Sequence, residues 1–250
     1  MRVVGIIQAR MGSTRFPGKS MAPLAGHPLL WQILERVKRV RLLDAIVLAT
    51  TAKPEDDVLE GVAASCGISV FRGSESDLVD RYYQAAIAWQ ADAILRLPAD
   101  NPTPEPSEFD RIIEFHKRGD TEFSSNLAQV LGNGYPDGIG AEVYSFAAFA
   151  EVWKHERDAE RREHPHLSFF NYKTQSPVNP DKYRVGTVPC PAEFRRPDLV
   201  LDVNTPADYE FMAELYAYLY PRNNEFRITD VIRWYDDVYR PRHGGPVPVK

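Results

Sequence analysis

Val3-Val-Gly-Ile-Ile-Gln8 runs straight into Ala9-Arg-Met-Gly-Ser-Thr-Arg-Phe-Pro-Gly-Lys19. The first stretch is apolar up to Gln8, which reads as a buried strand rather than an amphipathic one. The second reads as a loop. Gly12 lets backbone approach a ligand closely, and Ser13 and Thr14 add hydroxyls and amides. Arg10, Arg15 and Lys19 supply cations, and Pro17-Gly18 enforces a turn that brings Lys19 back toward the loop. Backbone amides and cations placed directly after a strand are what a triphosphate requires. The spacing matches neither the Walker A loop nor the GxGxxG fingerprint.

Outward from this junction, strand and helix alternate at short intervals. Leu29 to Val40 spaces Leu30, Ile33, Leu34 and Val37 at helical intervals, and Ala45 to Thr50 is the next strand. Glu55 to Ser65 reads as helix, Ser69 to Phe71 as strand, Leu78 to Gln90 as helix, Ala93 to Leu97 as strand and Ser107 to Arg118 as helix. This is the pattern of a parallel sheet covered on both faces. Ligands of such sheets collect beyond the carboxyl ends of the strands. The loop after Gln8 and the segment Pro98-Ala-Asp-Asn-Pro102 both lie at such ends. The second half is less regular. Thr121 to Ser145 reads as strands and turns, Phe146 to Glu160 as helix, and Tyr183 to Val188 and Leu199 to Val203 as strands. Pro206 to Tyr220 reads as a helix capped by Thr205 or Asn204, and Arg227 to Tyr235 as a short last helix. The organisation expected is one domain over 1–239, with 121–200 as an irregular insertion serving acceptor binding or dimerisation. A flexible tail is expected over 240–250.

The bulk properties narrow the class. The chain has 250 residues, 44% hydrophobic and 26% charged, enough to bury a core without disulfides. A net charge of -5 argues against a protein that coats nucleic acid. The two cysteines, Cys66 and Cys190, form no disulfide framework or zinc spacing, and a cytoplasmic location is expected. No stretch approaches the roughly 18 apolar residues of a membrane span, so no membrane partner is expected.

The segment QARMGSTRFPGK resembles the opening signature of the cytidylyltransferases that activate acidic sugars, above all their SpsF-type group. The resemblance continues in order along the chain. Gly73-Ser-Glu-Ser-Asp77-Leu-Val-Asp80-Arg81-Tyr82 is similar to that group's GSEDDVLDRY-like stretch, and Arg96-Leu-Pro-Ala-Asp100-Asn-Pro to its RxTGDCP segment. Tyr135-Pro-Asp137-Gly138 with Glu142-Val-Tyr-Ser-Phe resembles FPDGLDVEVFS. Arg162-Glu163-His164 resembles the REH element, and Asp202-Val-Asn204-Thr-Pro-Ala-Asp208 the late VDTPED turn.

The resemblance implies a Rossmann-like nucleotide-diphospho-sugar transferase fold, also called GT-A-like, with a mixed, mostly parallel sheet and helices on both faces. It implies transfer of a nucleoside monophosphate from an NTP, CTP above all, to a sugar acid or other small acceptor, with release of pyrophosphate. No covalent enzyme intermediate is expected, so catalysis rests on positioning and charge neutralisation. Arg15, Lys19 and Asp100 are the expected catalytic residues. Ala9, Arg10, Met11, Gly12, Ser13, Lys19, Ser74, Pro98, Ala99 and Asp100 would hold the nucleotide. Asp137, Glu142, Arg162, Glu163 and His164 would hold the acceptor. Magnesium would sit on Asp100 with either Asp202 or Asn204, since the usual late aspartate is Asn204 here and Asp202 shares its face on a regular strand. A homodimer is expected. Two rival readings are a glycosyltransferase, which usually needs a DxD motif that the first-half strand ends lack, and a non-catalytic nucleotide-binding protein.

Overall fold

In the structure, a computed structural model that describes residues 1–244, the alternation predicted for the first half is realised. Strands β1 (Val3–Gln8), β2 (Ala45–Thr51), β3 (Ser69–Gly73) and β4 (Ala93–Pro98) pair in parallel in the order β4-β1-β2-β3. Helices α1 (Leu29–Val37), α2 (Asp57–Ser65), α3 (Leu78–Ala88) and α4 (Pro106–Lys117) alternate with them. The chain leaves β1 toward β2 and β3, then returns to the other side of β1 with β4. The crevice between the carboxyl ends of β1 and β4 is therefore the point where the strand order reverses, where open α/β sheets bind ligands.

The sheet continues past β4 with β5 (Phe123–Ser125), β6 (Glu142–Ser145) and β7 (Val185–Gly186), giving the full order β7-β5-β6-β4-β1-β2-β3. β6 runs antiparallel to both β4 and β5, and β7 parallel to β5. Segment 121–200 thus contributes three strands to the central sheet instead of standing apart from it.

Successive side chains of a strand point to opposite faces, and each face here has its own core. Val3 and Ile7 join Leu48, Leu95 and Leu97 under α1, α2, α4, α7 (Pro206–Leu219) and α8 (Ile228–Trp234). Val4 and Ile6 join Val47, Ala49 and Ile94 under α3 and α5 (Phe146–His155). Gly5 falls on the first face, where a Cβ would come within 2.9 Å of Leu43.

Several elements depart from the sequence reading. The helix expected over 146–160 breaks at His155 and restarts as α6 (Ala159–Glu163), capped by Asp158, which accepts a hydrogen bond from the Arg161 N–H. The strand expected over 183–188 shrinks to Val185–Gly186. The stretch expected as a strand over 199–203 joins no sheet. It makes only an isolated bridge between Val200 and Asp137, with Asp137 N–H donating to the Leu199 carbonyl at 2.9 Å and Leu201 N–H to the Asp137 carbonyl at 3.1 Å. Gly138 makes that approach possible: its φ is +93°, and a Cβ would lie 2.9 Å from the Leu201 backbone. Thr205 caps α7 through a capping box with Asp208. Residues Arg240–His243 of the expected tail form a helical turn, and 245–250 lie outside the described residues.

Candidate active site

β1 ends at Gln8, and the chain leaves the sheet as the predicted loop. Its centre is Met11. The Met11 carbonyl accepts from the N–H groups of Ser13 (2.9 Å) and Gly18 (3.3 Å), which draws the loop closed. Gly18 takes the left-handed conformation that this turn needs, with φ +73°. The Met11 N–H donates to buried Asp56 at 2.7 Å. The amides of Gly12, Thr14 and Arg15 have no hydrogen-bond partner among the described residues.

Two loop cations reach across to the late segment before α7. Arg15 donates to the Asn204 side-chain oxygen at 2.7 Å, and Lys19 Nζ to the Val203 carbonyl at 2.6 Å. The same segment is stapled to the end of β4, because Val203 N–H donates to the Asp100 carbonyl at 2.7 Å. Lys19 Nζ lies 3.6 Å from the Asp100 carboxylate. Burial pulls the Lys19 ammonium below its ordinary pKa, opposed by Asp100. Burial pushes the Asp100 carboxyl up, against the pull of Lys19 and with the help of the Asp202 charge. Asp100, which lines the crevice, and Asp202 therefore sit within electrostatic reach of one another.

Asn204 lies between Arg15 and Asp202 and bonds to both. Its carbonyl oxygen accepts from Arg15 and its amide donates to the Asp202 carboxylate. A guanidinium demands an acceptor and a carboxylate demands a donor, so the amide has one orientation. The oxygen of Asn204 is thus turned to Arg15 and its amide to Asp202. Among the described residues no three His, Cys, Asp or Glu side chains cluster as a closed metal site. Two carboxylates beside a phosphate loop fit a magnesium-like ion, which keeps phosphate and water ligands.

The crevice has a volume of about 290 Å³, at the lower end of the roughly 300–1,000 Å³ range of ligand sites. Of the residues expected to bind nucleotide, Ala9, Arg10, Ser13, Lys19, Pro98, Ala99 and Asp100 line it, and Arg15 and Asn204 do too. Met11 and Gly12 shape the loop without lining the space. Ser74 is turned away from it: its hydroxyl accepts from the Asp77 N–H at 3.1 Å ahead of α3.

The residues expected to bind acceptor divide. Glu163 and His164 line the crevice, and Glu163 lies 3.6 Å from Arg10, closing one side. Arg162 points the other way. It pairs with Asp77 at 2.6 Å and donates to the carbonyls of Trp153 and Glu156, so its donors tie α6 to α3 and α5. Glu142 is buried beneath the crevice, bound to Arg96 (2.7 Å), Tyr144 (2.5 Å) and Tyr172 (2.8 Å). Burial raises its carboxyl, but Arg96 outweighs that and holds it below the ordinary range. Asp137 does not line the crevice, and its backbone makes the turn against Val200 described above.

Other residues line the crevice without having been singled out for it. Gln8 is one: its side-chain oxygen accepts from Tyr82 Oη (2.9 Å) and Arg96 Nε (3.2 Å), which turns its NH2 toward the open space. Arg81 is another. It is buried, lines the crevice, pairs with no carboxylate among the described residues, and reaches only the carbonyls of Ala49 (3.5 Å) and Glu75 (3.4 Å). Leu78 completes that wall together with Glu75, which the family resemblance implies to lie near the nucleotide base. The sequence signal for Gln8 was its place at the strand end; for Arg81 it was only its position in a family-like stretch.

Comparison with known proteins follows this geometry. A family model described as cytidylyltransferase matches residues 4–226. The spore coat polysaccharide biosynthesis protein SpsF of Bacillus subtilis is 33% identical over 219 residues, covering 86% of each chain. A 3-deoxy-manno-octulosonate cytidylyltransferase of Anaeromyxobacter dehalogenans is 36% identical over 113 residues, 44% of this chain and 46% of that one. A solved cytidylyltransferase from Leptospira borgpetersenii superposes over 100% of both chains with a TM-score of 0.85 and 28% identity.

Proposed function

The chain belongs to the cytidylyltransferase family, and on that premise we propose how its crevice transfers CMP from CTP to a small sugar-type acceptor. The observation that carries the reading is the clasp at the β1–β4 crevice. Arg15 and Lys19 of the loop grip residues 203–204, the segment that also sits on Asp100. This brings cations, open loop amides and two carboxylates to one place.

In this proposal Arg10, Arg15, Lys19 and the free amides hold the triphosphate. Asp100 and Asp202 hold magnesium, which when bound neutralises phosphate charge; Asn204 orients Asp202. The acceptor enters past Glu163 and His164. Its hydroxyl oxygen forms a bond to the α-phosphorus and gives up its proton to solvent, while the bond to the bridging oxygen breaks and pyrophosphate leaves with that electron pair. Lys19 and Arg15 lie where that developing charge needs donors. Arg162, Glu142, Ser74 and Asp137 take supporting roles in this account, as the partners named above indicate. The likeness to a spore-coat polysaccharide protein favours a sugar acceptor of surface-polysaccharide type. Both cysteines are free and buried, and among the described residues no helix is long and apolar enough to cross a membrane. A homodimer in the cytoplasm, with segment 121–200 at its interface, completes the proposal.

The test is a pyrophosphate-release screen. CTP, UTP, ATP and GTP are each offered with a panel of sugar acids and sugars, in magnesium and in excess chelator. Release with CTP and magnesium, and none in chelator, is expected. Failure to bind CTP, or full release in chelator, refutes the reading.

A further inference from the structure

The loop after β1 folds about one residue, Met11, which bonds through both its N–H and its carbonyl. The Met11 carbonyl gathers the amides of Ser13 and Gly18, and the Met11 N–H is held by Asp56. Asp56 lies outside the loop, on the turn between β2 and α2, and is 1% exposed. Its second oxygen accepts from the Thr51 hydroxyl. That hydroxyl already accepts from the Lys53 N–H at 3.2 Å, so its own proton has to go to Asp56. A bonded chain therefore runs from the end of β2 through Thr51 and Asp56 to the centre of the loop.

Asp56 makes no ion pair with any cation among the described residues. A buried carboxylate without a cationic partner is costly unless hydrogen bonds satisfy it. Here one bond goes to the loop, and the other anchors the carboxylate to the end of β2. The neighbouring amides of Gly12, Thr14 and Arg15 stay open, and a loop that swings loses their convergence.

We propose that Asp56 is a positioning residue for the triphosphate: it touches no substrate, but by pinning Met11 it holds the loop amides in a phosphate-accepting array before the nucleotide arrives. This rests on the reading of the crevice as a CTP site.

The experiment compares two probes on the whole protein. CTP with magnesium is titrated by calorimetry, and cytidine, which has the base and ribose but no phosphate, by NMR chemical-shift change. For Asp56→Ala we expect CTP affinity to fall at least tenfold while cytidine affinity stays within twofold. Asp56→Asn, whose carbonyl still accepts from Met11, should recover most of the loss. Thr51→Val keeps the volume and removes the bond that orients Asp56, together with the acceptor of the half-exposed Lys53 N–H, so it should weaken CTP selectively and carries the test should Asp56→Ala fail to fold. Equal losses for CTP and cytidine would mean a general structural role and overturn the proposal, as would no change for CTP. Wild-type protein that binds no CTP would instead overturn the functional reading on which the proposal stands.

Discussion

Replacing Asn204 by aspartate restores the residue that the resembling motif carries, and the structure assigns it a cost. Asn204 donates its amide to Asp202 and accepts from Arg15. In Asn204→Asp the Arg15 bond survives, but the donor to Asp202 becomes an oxygen. The lost bond to a charged group is worth about 1.5–3 kcal/mol. Two carboxylates about 4 Å apart repel by about 4 kcal/mol at an effective dielectric of 20, reduced here because Arg15 stays on one of them and the site opens to solvent. We take about 2–4 kcal/mol in all, which for a chain of this size lowers Tm by roughly 5–15 °C. Thermal melts in chelator should show that fall. In millimolar magnesium with CTP the gap should narrow, since three carboxylates now face the ion, and half-maximal turnover should need less magnesium than in wild type. A variant that melts with wild-type protein in chelator would refute the Asn204–Asp202 contact. A fall in Tm that magnesium and CTP leave untouched would refute the placing of the metal beside Asp202.

Asp100→Asn should cut turnover about 100- to 1000-fold, the usual cost of losing transition-state charge stabilisation, with no loss of thermal stability, because a carboxyl already raised by burial and by Asp202 is removed; a melt and a pyrophosphate assay check both. Lys19→Ala should cost a similar factor in rate and also about 1–3 kcal/mol of stability, because Lys19 is largely buried and satisfies the Val203 carbonyl. Its loss removes the group that lowers the Asp100 pKa, so the acid limb of kcat/KM should move to higher pH, activity being lost sooner as pH falls; an unmoved limb would detach Lys19 from Asp100. Gln8→Glu keeps acceptors for Tyr82 and Arg96 but turns an oxygen instead of an NH2 into the crevice. Tm should hold or rise while turnover falls at least about tenfold, the loss of one directed bond with a charge added; unchanged turnover would show that Gln8 faces no substrate.

The local sequence determined the sheet of the first half and the loop at its centre. Buried strands announce themselves as short apolar runs and helices as 3.6-residue spacing, and the cations Arg10, Arg15 and Lys19 follow directly on the first of those strands. The resemblance added Asp100 and the late turn. What the sequence did not hold was the choice of partner between side chains of similar chemistry. Asn204 and Asp202 are equivalent as strand neighbours until Arg15, 189 positions from Asn204, takes the oxygen of Asn204 and turns its amide to Asp202. Arg162 sits beside Glu163 and His164 in the same motif, yet α6 turns it onto Asp77, 85 positions away, while its neighbours face the crevice. Glu142 reads as a site acid, yet in the sheet it stands buried against Arg96 of the neighbouring strand. The stretch 199–203 has a strand's composition, but Gly138 brings a turn against it where no sheet edge is available. Periodicity is a property of neighbours along the chain, whereas the pairing of a charge is a property of distance through space, which only the folded arrangement of strands and loops supplies.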